Sequence, residues 1–459
     1  MQSQTNFLFL MADQFRNTTL EGMGDNIKTP GLRRLMDQSV VFTRAACTCP
    51  LCTPSRASLA TGRYPSRCGV PIHDAVLAPE QPTFYQALRD GGYRVGIVGK
   101  TDLHKRQNYC GPKGDLPVMY HYGFTDPVET EGKMNSAWVG RTESGSLYPM
   151  GPYQKFLLEK DPELMQRLER DYRSYMRQKP RYYAQPSVLP PDLFLDDFIG
   201  AQALAWLNEH DGTGAPWHLT VSFAGPHNPW DPPQPDYDAV GSGPWPAPIA
   251  ADMAGKPAWI RARAAQQTSG MTEADLQQVK RCYAGSTRVV DRWVGRLLDW
   301  LETTGHMKDT VIIFCADHGE LLGDHGLLEK SAMYEGCLRI PLVIHTPDMQ
   351  ARRDCDALAE LMDLAPTCLD LAGLTWDQSQ MDARTLTPLL RGGDEPLRPV
   401  QRSELHNCTM LFDGRYKWIR SYNDMDELYD LQNDPQELCN IFEAHPEIIE
   451  RFKPYSFRH

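Results

Sequence analysis

The sequence predicts an α/β fold: a large mixed, mostly parallel sheet sandwiched by helices, plus a small C-terminal antiparallel-sheet subdomain with a helix. Three observations lead there. Near-continuous apolar runs alternate with helix-patterned segments over most of the 459 residues, as expected of strands buried on both faces. Most of those runs end in charged or metal-capable residues, as happens when strands point together into one cleft. After about residue 385 the rhythm changes to short strand-like runs with no helices between them, which reads as antiparallel pairing. The division that follows is an α/β domain at 1–385 and an α+β subdomain at 386–459.

Taken in order, the predicted strands of the main sheet are Asn6–Met11, Arg94–Val98, His218–Ala224, Val311–Ala316 and Pro341–His345. Helical periodicity covers Thr83–Gly91, Asp196–His210, Glu273–Thr304 and Asp356–Gly373. Two stretches interrupt the alternation. Residues 105–190 are rich in Tyr, Arg, Pro and Gly, and residues 225–260 are dense in proline and carry Trp230, Trp245 and Trp259. Segments of that length in a compact domain are walls or lids around a site, or surface decoration. Their aromatics are expected to line the approach to a site. The tail offers strands at Arg402–Cys408, Met410–Phe412, Tyr416–Arg420 and Glu427–Leu431, then a helix at His445–Phe452.

Composition narrows the function. The apolar fraction of 41% and charged fraction of 23% are those of an ordinary globular protein. A net charge of −12 argues against a general nucleic-acid or anionic-membrane binder. No apolar run approaches the roughly 20 residues a membrane-spanning helix needs. The opening MQSQTNFLFLMADQ lacks a basic leader and reads as a first strand, not a signal peptide. A cytoplasmic location is the expectation. The twelve cysteines are scattered singly except at Cys47, Cys49 and Cys52, the pattern of a reducing compartment.

The strand ends concentrate the chemistry. The first strand leads into Asp13 and Gln14, the second into Lys100 with Asp102 and His104, the third into His227, the fourth into Asp317 and His318. Asp13, Gln14, Asp317 and His318 offer three oxygen donors and an imidazole, a set suited to Ca²⁺, Mg²⁺ or Mn²⁺. Arg56, Lys100 and Lys330 supply positive charge for an anionic substrate. Singly, each of these would be a turn, a cap or a solvated surface group.

The stretch CTCPLCTPSRASLATG at 47–62 remains to be read. Thr53 is a plausible N-cap, Pro54 suits a first helical turn and Gly62 a stop, so Cys52 lies just ahead of a helix N-terminus. Free N–H groups and the helix dipole favour an anion there, with Arg56 one turn on. A zinc knuckle lacks its second Cys/His pair. A redox pair stays open, as do three buried thiols.

These residues resemble a family. C-T-P-S-R, extended to L-A-T-G-R, is similar to the signature of the type I sulfatases of the alkaline-phosphatase superfamily. The resemblance runs nearly end to end. NFLFLMADQ, TPGLRRLMDQSVVFTRAACTCPLC, GK at 99–100, GPHNPW at 225–230, ADHGELLGDHG at 316–326 and ELYDLQNDPQELCNI follow the family's order. It implies that Cys52 is oxidised to formylglycine by a formylglycine-generating enzyme, its hydrate being the nucleophile. It implies that Asp13, Gln14, Asp317 and His318, with residue 52, hold one divalent cation, Ca²⁺ ahead of Mn²⁺ or Mg²⁺. Arg56 would orient the formylglycine, while Lys100, His227 and Lys330 bind sulfate or assist the leaving group. The substrate would be a small-molecule or carbohydrate sulfate ester, with His73, Asp102, His325, His406 and Asn407 as further substrate contacts.

Three positions depart from the commonest pattern. Gln14 stands where many members have Asp, and His318 where many have Asn; both resemble the choline sulfatase and phosphonate monoester hydrolase branch. In GKTDLH, Asp102 occupies a place often held by His, leaving Asp102 and His104 as alternative bases, with His104 preferred because imidazole titrates near neutrality. Three readings compete: a sulfatase, a phosphonate monoester hydrolase or phosphodiesterase with the same nucleophile, and an inactive anion-binding or cysteine-cluster metal or redox protein. A homo-oligomer is compatible with each; neither nucleic acid nor membrane is an expected partner.

Overall fold

Eight strands build the main sheet of the computed structural model, which describes residues 5–104, 109–177, 182–250 and 252–455. They are β1 (Asn6–Asp13), β2 (Val40–Phe42), β3 (Arg94–Gly99), β4 (Asp126–Glu129), β7 (Trp217–Pro226), β8 (Thr310–Ala316), β9 (Leu342–His345) and β10 (Arg353–Cys355). Two-residue strands β5 (Gly140–Arg141) and β6 (Leu147–Tyr148) form a separate ribbon. The order across the main sheet is β10-β2-β9-β8-β1-β7-β3-β4. Only β9 runs against its neighbours β2 and β8; every other pairing is parallel. The four adjacent strands β8, β1, β7 and β3 are those whose sequence ends in Asp317, Asp13, His227 and Lys100. Because they are parallel neighbours, these groups leave the sheet side by side at its carboxyl edge. Apolar side chains of β1, β7 and β8 are buried along their whole lengths, which explains why they read as continuous hydrophobic runs.

Helices cover both faces. Phe84–Asp90 starts with a reciprocal capping box between Thr83 and Gln86, and Glu273–Thr304 with one between Thr272 and Asp275, ending at Gly305 in the left-handed region. Leu195–His210 packs on β7 and β3 beside the long helix. The expected helix at 356–373 is not continuous. The chain forms β10, then a single turn at Leu361–Asp363, then a helix at Leu364–Leu371. Pro366 accounts for the shift: it fits the first turn of a helix beginning at 364 but would break one beginning at 356.

The small sheet is an antiparallel meander of β11 (Gln401–Leu405), β12 (Cys408–Phe412), β13 (Tyr416–Ser421) and β14 (Glu427–Asp430). The run Arg402–Cys408 is therefore two strands, not one. Leu405 pairs with Cys408 across a two-residue turn made by His406 and Asn407, a length that favours a tight hairpin. One face of this sheet buries Leu411, Trp418 and Leu428 under Ile448, Ile449 and Phe452 of the Pro446–Phe452 helix. The first strand is tied to the main domain: Glu404 N–H donates to the Thr48 carbonyl at 2.8 Å and Arg402 N–H to the Glu360 carboxylate at 2.7 Å. Among the described residues, no helix is long and apolar enough to cross a membrane.

Candidate active site

Cys52 sits where the strand ends converge. It is the first residue of the Cys52–Thr61 helix, with Leu51 as the cap. Thr53 is not the cap: the Ser55 N–H already reaches the Leu51 carbonyl at 3.0 Å, so the first turn closes two residues earlier. Gly62 ends the helix at φ 66 as a left-handed stop. The Cys52 sulfur is completely buried. It lies 3.2 Å from His318 Nε2, 3.1 Å from Lys330 Nζ and 3.7 Å from Asp13 Oδ1. Ligand atoms of Asp13, Cys52, Asp317 and His318 all lie within 4.8 Å of one another.

This donor set fits a divalent cation. Two buried carboxylates contribute oxygens, and the His318 tautomer is fixed by Nδ1–H donating to the Gly319 carbonyl at 3.0 Å, which turns the Nε2 lone pair inward. Gln14, beside them, has its backbone N–H on Asp317 Oδ1 at 3.0 Å and its side-chain oxygen on Lys330 Nζ at 2.9 Å. A register shift of β1 against β7 after Ala12 and a left-handed backbone at Gln14 (φ 64) allow both Asp13 and Gln14 to face the cluster.

Positive charge surrounds the carboxylates. Arg56 donates through Nε to Asp317 at 2.8 Å and through Nη1 to the Lys100 carbonyl at 2.7 Å and Ser222 Oγ at 2.9 Å. It thus fixes a carboxylate of the cation site and ties three strand ends together. Lys100 Nζ bonds Asp13 and lies 3.0 Å from Asp102. Burial and Cys52 push the Asp13 carboxyl up, but Lys100 and Arg56 outweigh them and hold it at about 2. Lys330 Nζ also contacts His227 Nε2. Burial and the neighbouring Lys330 depress the His227 pKa, whereas Cys52 and Asp13 overcome burial to raise that of Lys330. The pair is therefore an ammonium donating to a neutral imidazole, and His227, half-buried, is on the outward side.

Asp102 and His104 separate. Asp102, at φ 58, turns to Lys100. His104 Nε2 contacts the Glu129 carboxylate at the end of β4, while Nδ1 is buried without a partner among the described residues. Burial opposes its charged form, but Glu129 and Asp102 raise its pKa.

The remaining expected contacts do not join the cluster. His325 packs against Tyr334 with tilted rings whose centroids are 4.3 Å apart, and burial with the nearby Lys256 and Lys417 lowers its pKa to about 3. It borders a cavity of about 530 Å³ between the main domain and the small sheet, along with Arg16, Arg339 and Phe412. His406 is exposed at the β11–β12 turn with Asn407 beside it, and His73 is half-buried in the loop after the Pro65–Cys68 helix. Trp230 and Trp245 do not line the approach. Both are buried against Val279 and Tyr283 in a separate apolar cluster. Cys47 and Cys49 are buried loop thiols; Cys47 N–H reaches the Leu338 carbonyl at 3.0 Å, and burial drives both thiols well above their usual range.

Sequence reasoning passed over four residues at the site. Glu320 and Asn228 both bond the Gln14 amide, Glu329 bonds Asn228 Nδ2 at 2.9 Å, and Tyr175 OH lies 3.4 Å from Asn228. Glu320 lies inside ADHGELLGDHG, Asn228 inside GPHNPW and Glu329 beside Lys330, so proximity to a motif was the available signal. Tyr175 ends the Pro162–Tyr175 helix, far from any motif, and carried none.

Known proteins resemble this chain over nearly its whole length. The family model described as Sulfatase matches residues 5–374, and that described as N-sulphoglucosamine sulphohydrolase, C-terminal, matches 323–453. The chain is 28% identical to a choline-sulfatase of Rhizobium meliloti, over 95% of its own length and 82% of that relative's. It is 26% identical to an N-acetylglucosamine-6-O-sulfatase of Bacteroides thetaiotaomicron, again covering 95% and 82%. Among solved structures, the phosphonate monoester hydrolase of Agrobacterium radiobacter superposes with a TM-score of 0.80 at 25% identity, covering 98% of this chain and 94% of that one.

Proposed function

This chain belongs to the sulfatase family, and from that premise we propose that it hydrolyses a sulfate monoester with a formylglycine made from Cys52. It is a sulfuric ester hydrolase; the ester, the modified nucleophile and the cation are the finer reading. One observation carries it: the Cys52 sulfur, at a helix N-terminus, is within hydrogen-bonding reach of both His318 and Lys330, inside a donor set of Asp13, Asp317 and His318. A merely structural thiol would have the apolar surroundings of Cys315 or Cys368.

The chain's own groups divide the work. The aldehyde hydrate at position 52 offers two hydroxyls, one to attack sulfur and one to expel sulfate afterwards, so water need not attack the sulfated residue. A cation held by Asp13, Gln14, Asp317 and His318, Ca²⁺ ahead of Mn²⁺ or Mg²⁺, would supply electrostatic stabilisation of the attacking and transferred oxygens. Lys100 and Lys330, both buried, add fixed positive charge beside it. The Lys330–His227 pair stands ready to protonate the departing alcohol. His104, carried by Glu129 on one nitrogen and unpartnered on the other among the described residues, is the base for the collapse of the sulfated diol. His227 is the more open side of this group and marks where the alcohol portion lies. A carbohydrate or other small-molecule sulfate fits that side; relatives named for choline and N-acetylglucosamine sulfates support both classes.

The second reading is a phosphonate monoester hydrolase, favoured by Gln14 and His318 and by the Agrobacterium radiobacter likeness. Measured kcat/KM on matched aryl sulfate and aryl phosphonate monoesters separates the two. The sulfate is expected to be the better substrate; a preference for the phosphonate reverses the assignment.

A further inference from the structure

Gln14 is the one cation donor whose side chain has two chemically opposite faces. Turning its amide by half a circle exchanges an oxygen for an NH₂ with almost no change of shape. Only the oxygen can serve a hard cation. Something must therefore hold the amide one way round.

The main chain of Gln14 is already fixed. Its N–H donates to Asp317 at 3.0 Å, and its carbonyl accepts from Tyr283 OH at 3.0 Å. What remains free is the amide rotation, and three partners set it. Lys330 Nζ, which can only donate, is on Oε1 at 2.9 Å. The Glu320 carboxylate takes a hydrogen bond from Nε2, as does Asn228 Oδ1 at 3.3 Å. The Asn228 amide is oriented in turn, because its Nδ2 donates to Glu329 at 2.9 Å and leaves Oδ1 for Gln14. Glu320 is completely buried. Its second oxygen accepts the backbone N–H groups of Leu322 at 2.9 Å and Glu329 at 2.6 Å. No arginine or lysine is paired with it among the described residues, so its location is unexplained by charge neutralisation.

We propose that Glu320 is a positioning residue of the cation site: it holds the Gln14 amide with its oxygen toward Cys52, Asp13, Asp317 and His318. The inference rests on the cation reading above. It makes a specific claim about Glu320→Gln. The N–H groups of Leu322 and Glu329 keep the acceptor oxygen of the new amide, so its NH₂ meets the NH₂ of Gln14. Gln14 then turns over, presenting NH₂ to Lys330 and to the cation.

Calorimetric titration of Ca²⁺ and of Mn²⁺ into the metal-depleted full chain tests this without reference to turnover. Glu320→Gln should bind about 10–100-fold more weakly than wild type, the usual effect of removing a partner that orients a metal ligand. Gln14→Ala should lose a similar amount, and Glu320→Gln should add nothing further in that background. The exchange Gln14→Glu with Glu320→Gln should restore binding, because a carboxylate at position 14 accepts from the new NH₂ and still offers an oxygen to the cation. If Glu320→Gln alone does not fold, the exchange variant decides. Wild-type affinity in Glu320→Gln, losses that multiply in the Gln14→Ala background, or an exchange variant that folds yet does not regain binding overturns the assignment of Glu320. A wild type that takes up neither cation overturns the cation reading and this inference with it.

Discussion

Cys52 differs from Cys47 and Cys49 in its neighbours and not in its burial, since all three are fully enclosed. The residue types at the strand ends announced the site because Asp, Lys and His at the close of an apolar run have few structural uses. Their supporting partners were not legible, because Glu320 and Asn228 acquire meaning only through the bulge after Ala12 and the left-handed turn at Gln14. At this scale, His104 and Asp102 can be told apart. His104→Ala should slow breakdown of the sulfated intermediate and let that adduct accumulate in quenched-flow mass spectrometry, whereas Asp102→Asn, which disturbs Lys100, should act mainly on KM. The reverse pattern would transfer the base to Asp102. His218 gives a second prediction. It lies amid Phe7, Phe9, Phe84 and Tyr85, and burial lowers its pKa to about 3. The unfolded chain therefore binds a proton below the ordinary histidine value that the folded chain does not, and the stability it supports is full at neutral pH and lost as pH falls from about 6.5 toward 3. At pH 5 the loss is about 2 kcal/mol, and His218→Phe should flatten that limb of a urea-denaturation series; an unchanged slope would contradict the burial argument.

Among elements, those with a start signal, a periodic face and a stop were readable: Phe84–Asp90, Leu195–His210 and Glu273–Thr304 appear within a residue or so of expectation. Elements held by distant partners were not. The segment 326–331 places Glu329 and Ser331 at φ 64 and 70, flanking Lys330, a conformation that costs side-chain-bearing residues energy and must be held from outside. The Ala258–Thr268 helix does this: Arg263 donates to the Lys330 carbonyl and, at 3.3 Å, to the Ser331 carbonyl, while Gln267 accepts from Leu328 N–H at 3.1 Å. No local pattern could have revealed that helix as a brace. Arg263→Ala is expected to release Lys330 and lower kcat by roughly tenfold, about 1.4 kcal/mol of barrier, with cation affinity unchanged. A loss of cation binding of the same size would show that the helix supports the whole site and not this loop.

The main sheet and the C-terminal meander are joined through buried charge. Lys256, in the main domain, donates to Tyr429 OH at 2.7 Å and the Glu437 carbonyl at 2.8 Å, and lies over the Tyr334 and Tyr429 rings. Lys417 of β13 meets Glu335 of the main domain at 3.0 Å. The division into a large sheet and a small meander was legible from the change of rhythm, but this junction was not, since its partners are 82 to 181 residues apart in sequence. Lys256→Met leaves the buried Glu427 carboxylate without the ammonium 3.6 Å away, while Glu437 keeps Lys417, and should cost about 3 kcal/mol in urea unfolding; a cost below about 1 kcal/mol would mean that Lys256 does not hold the junction. What Cys52 becomes decides whether the site can turn over a sulfate ester. Peptide mass spectrometry over residues 47–62 of the chain co-expressed with a formylglycine-generating enzyme should find the aldehyde at Cys52, with Cys47 and Cys49 as thiols, and sulfatase activity rising with the fraction converted. Full activity from a chain whose Cys52 is still a thiol would contradict it.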